Sequence, residues 1–243
     1  MVAERAARIE EPGRGESAYR LDGRRLDRIS EVASALLRGY RYSKASGERG
    51  NSIHDALHIA DSFSHPGLLT SQQVRVEEGG EDDPRLSWTF KPYIQTWEAA
   101  CTALSAKPVA SELRVASLAL GVAGRLDRVL ELGSERHIAV CDIKTGLPIR
   151  WHIYQVELYA HCLAECGLPV AYCMLAYLGA SPATTYIASW AFDSSHDYRP
   201  LIEQHWRLAR IPLTVHAGTG FNVLDTGMLW DDNGHSLDME DER

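Results

Sequence analysis

The chain has 243 residues, 45 % of them apolar, and a formal net charge of −8, which fits one ordinary globular domain with its own core. The acidic balance argues against indiscriminate coating of nucleic acid by charge. The five cysteines are an odd number in no disulfide-like pattern, and the polar N-terminus and the lack of a long apolar run argue against a secretory leader or a membrane span, so the expectation is a cytoplasmic protein without membrane attachment.

In chain order, residues 1–18 are polar and Gly/Glu-rich and read as a flexible N-terminus. Residues 24–38 carry Leu26, Ile29, Val32, Ala33, Leu36 and Leu37 at helical spacing, predicting a helix. After the breaks at Gly47 and Gly50, a helix is predicted over 52–63 with Ser52 as its cap. Residues 64–90 read as loop, punctuated by Pro66, Gly67, Gly79, Gly80 and Pro84. Pro92 opens a helix running to Leu104. Three strands are expected at 109–120, 123–132 and 136–143. A helix over 151–166 ends at Gly167. Strands at 170–178 and 185–192 and a helix at 196–209 follow. This order predicts a single α/β domain over 19–222, with a mixed central sheet flanked by helices, and an acidic, flexible tail over 223–243. Arg20, Arg24, Arg25, Arg28, Arg38, Arg41, Lys44 and Arg49 make the N-terminal region basic. That suits either phosphate tracking or a solvated helix face.

The most informative stretch is Gly124-Arg125-Leu126-Asp127-Arg128, a polar break at Glu131–Arg136, and Cys141-Asp142-Ile143-Lys144-Thr145-Gly146. Side chains at i and i+2 of a strand share a face, so Asp142 and Lys144 point one way and Ile143 the other. Pairing the two strands across the break brings Asp127 close to Asp142. Two carboxylates and one ammonium then converge at one end of a hairpin, an arrangement that suits a divalent metal with a lysine beside it.

These motifs, followed by Gln155 and Tyr159 and preceded by Gly50-Asn51-Ser52-Ile53-His54, resemble the PD-(D/E)XK nuclease superfamily, nearest its RecB-like and phage exonuclease branch. The resemblance spans about residues 45–180 and implies a single restriction-endonuclease-like domain. It implies Mg²⁺ or Mn²⁺ held by Asp127, Asp142, the main-chain carbonyl of Ile143 and His54, with Lys144 acting on the attacked phosphate. Relatives often carry an acid at the position of Glu112, which makes it a candidate accessory ligand. Gln155 and Tyr159, at i and i+4 of one helix face, are implied to lie beside the site. His58, one turn after His54, shares its face and is the nearest competitor for its role. The cysteines lack the closely spaced C-terminal triplet of relatives that hold an iron–sulfur cluster, so none is expected and all five read as small apolar residues.

The expected function is therefore metal-dependent hydrolysis of DNA, as an exonuclease on DNA ends in phage replication, recombination or repair. The alternatives are a structure-specific endonuclease on the same fold and a non-catalytic nucleic-acid-binding module. A small-molecule metallohydrolase is disfavoured because the usual His-rich ligand sets are missing. DNA is the expected partner, with a homo-oligomer and a separate helicase or recombination protein as further possibilities. Trp88, Phe90, Tyr93 and Trp97 suit either core packing or stacking on a DNA end.

Overall fold

The computed structural model describes residues 1–13, 18–34, 44–71, 90–149, 151–199 and 214–215. It is α/β, with a mixed, open central sheet flanked by helices. Helix α1 spans Val2–Ala7, and strands β1, β2 and β3 span Ile9–Glu10, Tyr19–Leu21 and Arg24–Arg28. Helices α2, α3 and α4 span Ile29–Ser34, Lys44–Ser64 and Lys91–Ala103, with strand β4 at Leu69–Thr70 between the last two. The centre is strands β5 (Ala106–Ser117), β6 (Val122–Leu132) and β7 (His137–Lys144), then helix α5 (Trp151–Glu165) and strand β8 (Val170–Tyr177). Strand β9 is Tyr186–Ala191, and β10 is Thr214–Val215, which pairs with β9.

One apolar core joins α2 and α5 to one side of the sheet, with Ile29, Leu113, Leu126, Val140, Val156, Leu163 and Leu175 buried in it. A second joins α3 and α4 to the other side, through Ile53, Leu57, Trp97, Leu130, Cys141, Ile143 and Met174. Alternation along β7 sends Val140 to the first core and Cys141 and Ile143 to the second, as a strand buried on both faces requires.

The N-terminal region departs from expectation. Residues 2–7 are helical and 9–10 are strand, with Ile9 and Leu21 buried and paired. Arg5 ties α1 to Glu165 at 2.8 Å. The helix expected over 24–38 is replaced in its first part by β3. Asp22 and Gly23 both have positive φ (53° and 77°) and form a two-residue link whose register pairs Leu21 with Arg24. An Asp-Gly hairpin turn of this kind overrides the helical spacing of Leu26 and Ile29. Arg20, Arg24 and Arg25 are consequently exposed on a hairpin and not on a helix.

Helix α3 begins eight residues before the expected 52, so Ser52 is internal and its Oγ donates to the Glu48 carbonyl at 3.0 Å instead of capping. The segment expected as loop over 64–90 contains β4, which pairs in parallel with Ala110 and Ser111. Trp97 is buried, and Phe90 and Tyr93 pack against its core, which is the packing role weighed for these aromatics. Trp88, Arg38, Arg41, the 196–209 helix beyond residue 199 and the acidic tail lie outside the described residues. No described helix is long and apolar enough to cross a membrane.

Candidate metal centre

The site forms where one edge of β6 changes partner. At its start β6 pairs in parallel with β3, through Val122 and Ala123; from Arg128 onward it pairs antiparallel with β7. Gly124–Asp127 lie between these two pairings. The strands diverge there, and a cleft of about 660 Å³ opens, lined by Glu11, Tyr19, Arg28, His54, Glu112, Arg125, Asp127, Lys144, Gln155 and Tyr159 among others. In place of a strand partner, the Asp127 carboxylate accepts the Ile143 N–H through Oδ2 at 2.6 Å.

Across β6, Glu112 on β5 faces Asp127, between the pairs Ser111–Arg128 and Leu113–Leu126. Glu112 has φ +49°, a left-handed conformation that side-chain-bearing residues seldom adopt. The strands change phase here. Leu113, Val115 and Leu126 share a core with Ala110 and Val129, which a strictly alternating strand cannot do. Backbone strain of this kind gathers at functional positions.

The donor atoms converge. His54 Nδ1 lies 3.3 Å from Asp127 Oδ1, and ligand atoms of His54, Glu112 and Asp127 all fall within 4.8 Å of one another. Two carboxylates and one imidazole form a donor set that suits Mg²⁺ and, with its nitrogen, Mn²⁺ better. Asp142 is not in this triad; its Oδ2 lies 2.5 Å from Lys144 Nζ. Lys144 Nζ also donates to Gln155 Oε1 at 3.1 Å and lies 5.6 Å from the centroid of the Trp151 ring. Gln155 Nε2 in turn donates to the Tyr159 hydroxyl at 3.2 Å.

Burial and charge set the protonation states. Burial would raise Asp127, but the charge and hydrogen bond of His54, with Lys144 and the Ile143 N–H, hold it well below the usual carboxylate range. Burial pushes Asp142 up to about 6; Asp127 adds to the rise and Lys144 opposes it. Glu112 rises to about 7 by burial and the charge of Asp127, against the pull of Arg128. Burial would lower His54, yet Asp127 raises it overall. One carboxylate of the cluster is thus held ionised and two are held up, a pattern that a divalent cation at the three donors would relieve.

Gly124 explains the close approach of α5. A Cβ on Gly124 would sit 2.8 Å from Cε1 of Tyr159, so α5 reaches the site only over a bare backbone. A Cβ on Gly50 would meet Thr145 Oγ1 at 3.4 Å, an ordinary contact, so α3 would keep its place against the end of β7 with alanine there. His58 is buried, with Nδ1 2.7 Å from Ser111 Oγ, away from the triad.

His54, Glu112, Asp127, Lys144, Gln155 and Tyr159 thus line one cleft and Asp142 pairs with Lys144 beside it, with Glu112 and not Asp142 completing the triad with His54 and Asp127. For Ile143 the structure gives the N–H contact with Asp127. Sequence reasoning missed two groups. Arg125 Nε reaches Glu112 Oε2 at 3.0 Å, and Arg128 Nε reaches Asp61 Oδ2 at 2.5 Å. The signal for the second was present: Asp61 is seven residues, two helical turns, after His54. Glu11, just after β1, and Tyr19 and Arg28, on β2 and β3, also line the cleft, and the hairpin turn between those two strands went unread. Cys141, Cys162 and Cys173 are buried, and Cys101 and Cys166 are half-buried.

No family model matches the chain, and neither does any curated protein. Among solved structures it is similar to one titled "Crystal structure of SSO0001", at 13 % identity over 72 % of this chain and 80 % of that one, with a TM-score of 0.30. A likeness that weak carries no argument about what the cleft does.

Proposed function

We propose that the protein is a metal-dependent deoxyribonuclease on a PD-(D/E)XK-like domain, acting as an exonuclease on DNA ends in phage replication, recombination or repair. The observation that carries this reading is the convergence in one cleft of His54, Glu112 and Asp127 with the Asp142–Lys144 pair. These residues come from four separate elements.

His54, Glu112 and Asp127 would hold Mg²⁺ or Mn²⁺, with Asp142 close by through its lysine. The bound ion supplies Lewis acidity toward a phosphoryl oxygen and lowers the pKa of its water. The remaining work falls to the chain. Asp127 is braced on the Ile143 N–H through Oδ2, which orients Oδ1 toward His54. Lys144, anchored by Asp142 and Gln155, presents a compact positive charge to the phosphate under attack and offsets the charge that develops there. Tyr159 holds Gln155, and Gln155 holds Lys144, so α5 sets where that charge sits.

The test uses linear duplex, closed circular plasmid and single-stranded DNA, each with Mg²⁺, Mn²⁺ or EDTA, beside the Lys144→Ala variant. The expected result is degradation of linear DNA that EDTA and the variant both abolish. Nicking of the circle would move the reading to a structure-specific endonuclease. Binding without cleavage in any metal would contradict a nuclease.

A further inference from the structure

We propose that the buried Asp61–Arg128 ion pair is a positioning device for the metal centre, an inference that rests on the metal-site reading above. Arg128 is fully buried and Asp61 nearly so. The guanidinium reaches three places at once. Its Nε donates to Asp61 Oδ2 at 2.5 Å, and one terminal nitrogen donates to the Asp127 carbonyl at 2.7 Å and to Glu112 Oε1 at 3.4 Å. One side chain therefore touches the main chain of one triad member, the carboxylate of a second and the helix that carries the third.

The helix side of this contact is as specific. His54, His58 and Asp61 stand at i, i+4 and i+7 of α3, along one face. Each meets a different polar group of the sheet: Asp127 at 3.3 Å, Ser111 at 2.7 Å and Arg128 at 2.5 Å. Ser111 and Arg128 are themselves cross-strand partners. The other oxygen of Asp61 accepts the Trp97 indole N–H from α4 at 3.1 Å, which fixes the carboxylate's rotation. The Asp61–Arg128 contact sets how far α3 slides along β6, and so where His54 falls relative to Asp127.

Glu112 needs the same brace. Its left-handed backbone persists only if its surroundings enforce it. Arg125 takes one carboxylate oxygen from the cleft side and Arg128 takes the other from the interior. Stability alone does not call for such a pair. Two apolar residues of similar volume commonly serve a core as well as a buried ion pair, or better. What a planar fork adds is direction.

The experiment titrates the full chain with Mn²⁺, reading free Mn²⁺ by electron paramagnetic resonance and folding by circular dichroism. Arg128→Lys keeps the charge and loses the fork. Asp61→Leu with Arg128→Leu removes both charges and leaves neither partner of the pair buried alone. Trp97→Phe removes only the hydrogen bond that orients Asp61. Each variant that folds as wild type should bind Mn²⁺ more weakly. The loss should be about 10–100-fold for the first two, the usual scale for residues that orient ligands, and smaller for Trp97→Phe. Cleavage should return when Mn²⁺ is raised to match, which a general structural defect would not allow. Wild-type Mn²⁺ affinity in the folded Arg128→Lys or double-leucine variant, with Asp127→Asn binding none, would overturn the positioning role and leave the nuclease reading intact. A wild-type chain that binds no Mn²⁺ would overturn both.

Discussion

Helix α5 carries a buried polar group on each of two sides, and the two behave differently. On one side Gln155 and Tyr159 face a cleft in which Glu112 and Asp127 meet Lys144, His54 and Arg125, with Asp142 and Arg128 buried behind it. On the other, Glu157 is buried in the core, with Oε1 accepting the Trp190 indole N–H at 2.9 Å. Burial pushes Glu157 up to about 7, and the hydrogen bonds of Trp190 and Tyr198 only partly offset the rise. A lone buried acid holds its proton to higher pH and, while protonated, behaves as a neutral hydrogen-bonding group. In the cleft, Asp127 is held ionised by His54, Lys144 and the Ile143 N–H, while Glu112 and Asp142 beside it are raised as Glu157 is. The contrast lies in partners, since Glu157 and Asp127 are both buried.

The sharpest way to break the contrast is to remove charge from each side. Asp127→Ala, Asp142→Ala and Lys144→Ala should each lower cleavage of linear DNA by roughly 10²–10³-fold or more, measured as release of labelled nucleotide, with folds intact by circular dichroism. Glu157→Gln should cleave within a few fold of wild type. Equal losses on both sides would erase the distinction.

Metal comes next. Saturating Mn²⁺ should stabilise the wild type by about 2.7 kcal/mol at one hundred times its dissociation constant, read as a rise in melting temperature that EDTA reverses. Glu157→Gln should show the same rise and Asp127→Asn none. His54→Ala should shift the balance between Mg²⁺ and Mn²⁺; identical behaviour with both metals would make His54 purely structural.

The third difference is in pH. The folded pKa of Glu157 lies near 7, above its ordinary 4.5. Between those values the unfolded state binds fewer protons than the native state, so this group's contribution to stability is full below about 4.5 and is lost as pH rises through 7. Urea unfolding at pH 5 and pH 8 should show that Glu157→Gln removes a decline of up to about 3 kcal/mol. An unchanged difference between the two pH values would contradict the protonated core acid.

The smallest effect is steric. Gly124→Ala places a methyl against the Tyr159 ring. It should cost about 1–3 kcal/mol and reduce cleavage by displacing Gln155 and then Lys144, measured by urea unfolding and turnover. Gly146→Ala meets no neighbouring atom within 4 Å and should do far less.

Much of this architecture was legible in the chain. Strands β5 to β9 and helices α4 and α5 fall within a few residues of expectation, because their apolar runs are long and end at glycines or polar turns. The Asp142–Lys144 pairing follows from the period of two along a strand. The N-terminal elements were not legible as helix spacing, because the local Asp22-Gly23 turn decided their conformation. Glu112 could be flagged from sequence but not its left-handed backbone or the two arginines that reach it from different sides. The Asp61–Arg128 contact joins residues 67 positions apart. Nothing local announces it except the two-turn spacing from His54.

The most direct single measurement is Mn²⁺ binding to the purified chain and to Asp127→Asn, by isothermal titration with Glu157→Gln alongside. The account predicts that the wild type and Glu157→Gln bind Mn²⁺ alike and that Asp127→Asn loses it. No binding by the wild type, or binding that survives in Asp127→Asn, would contradict a metal centre in this cleft.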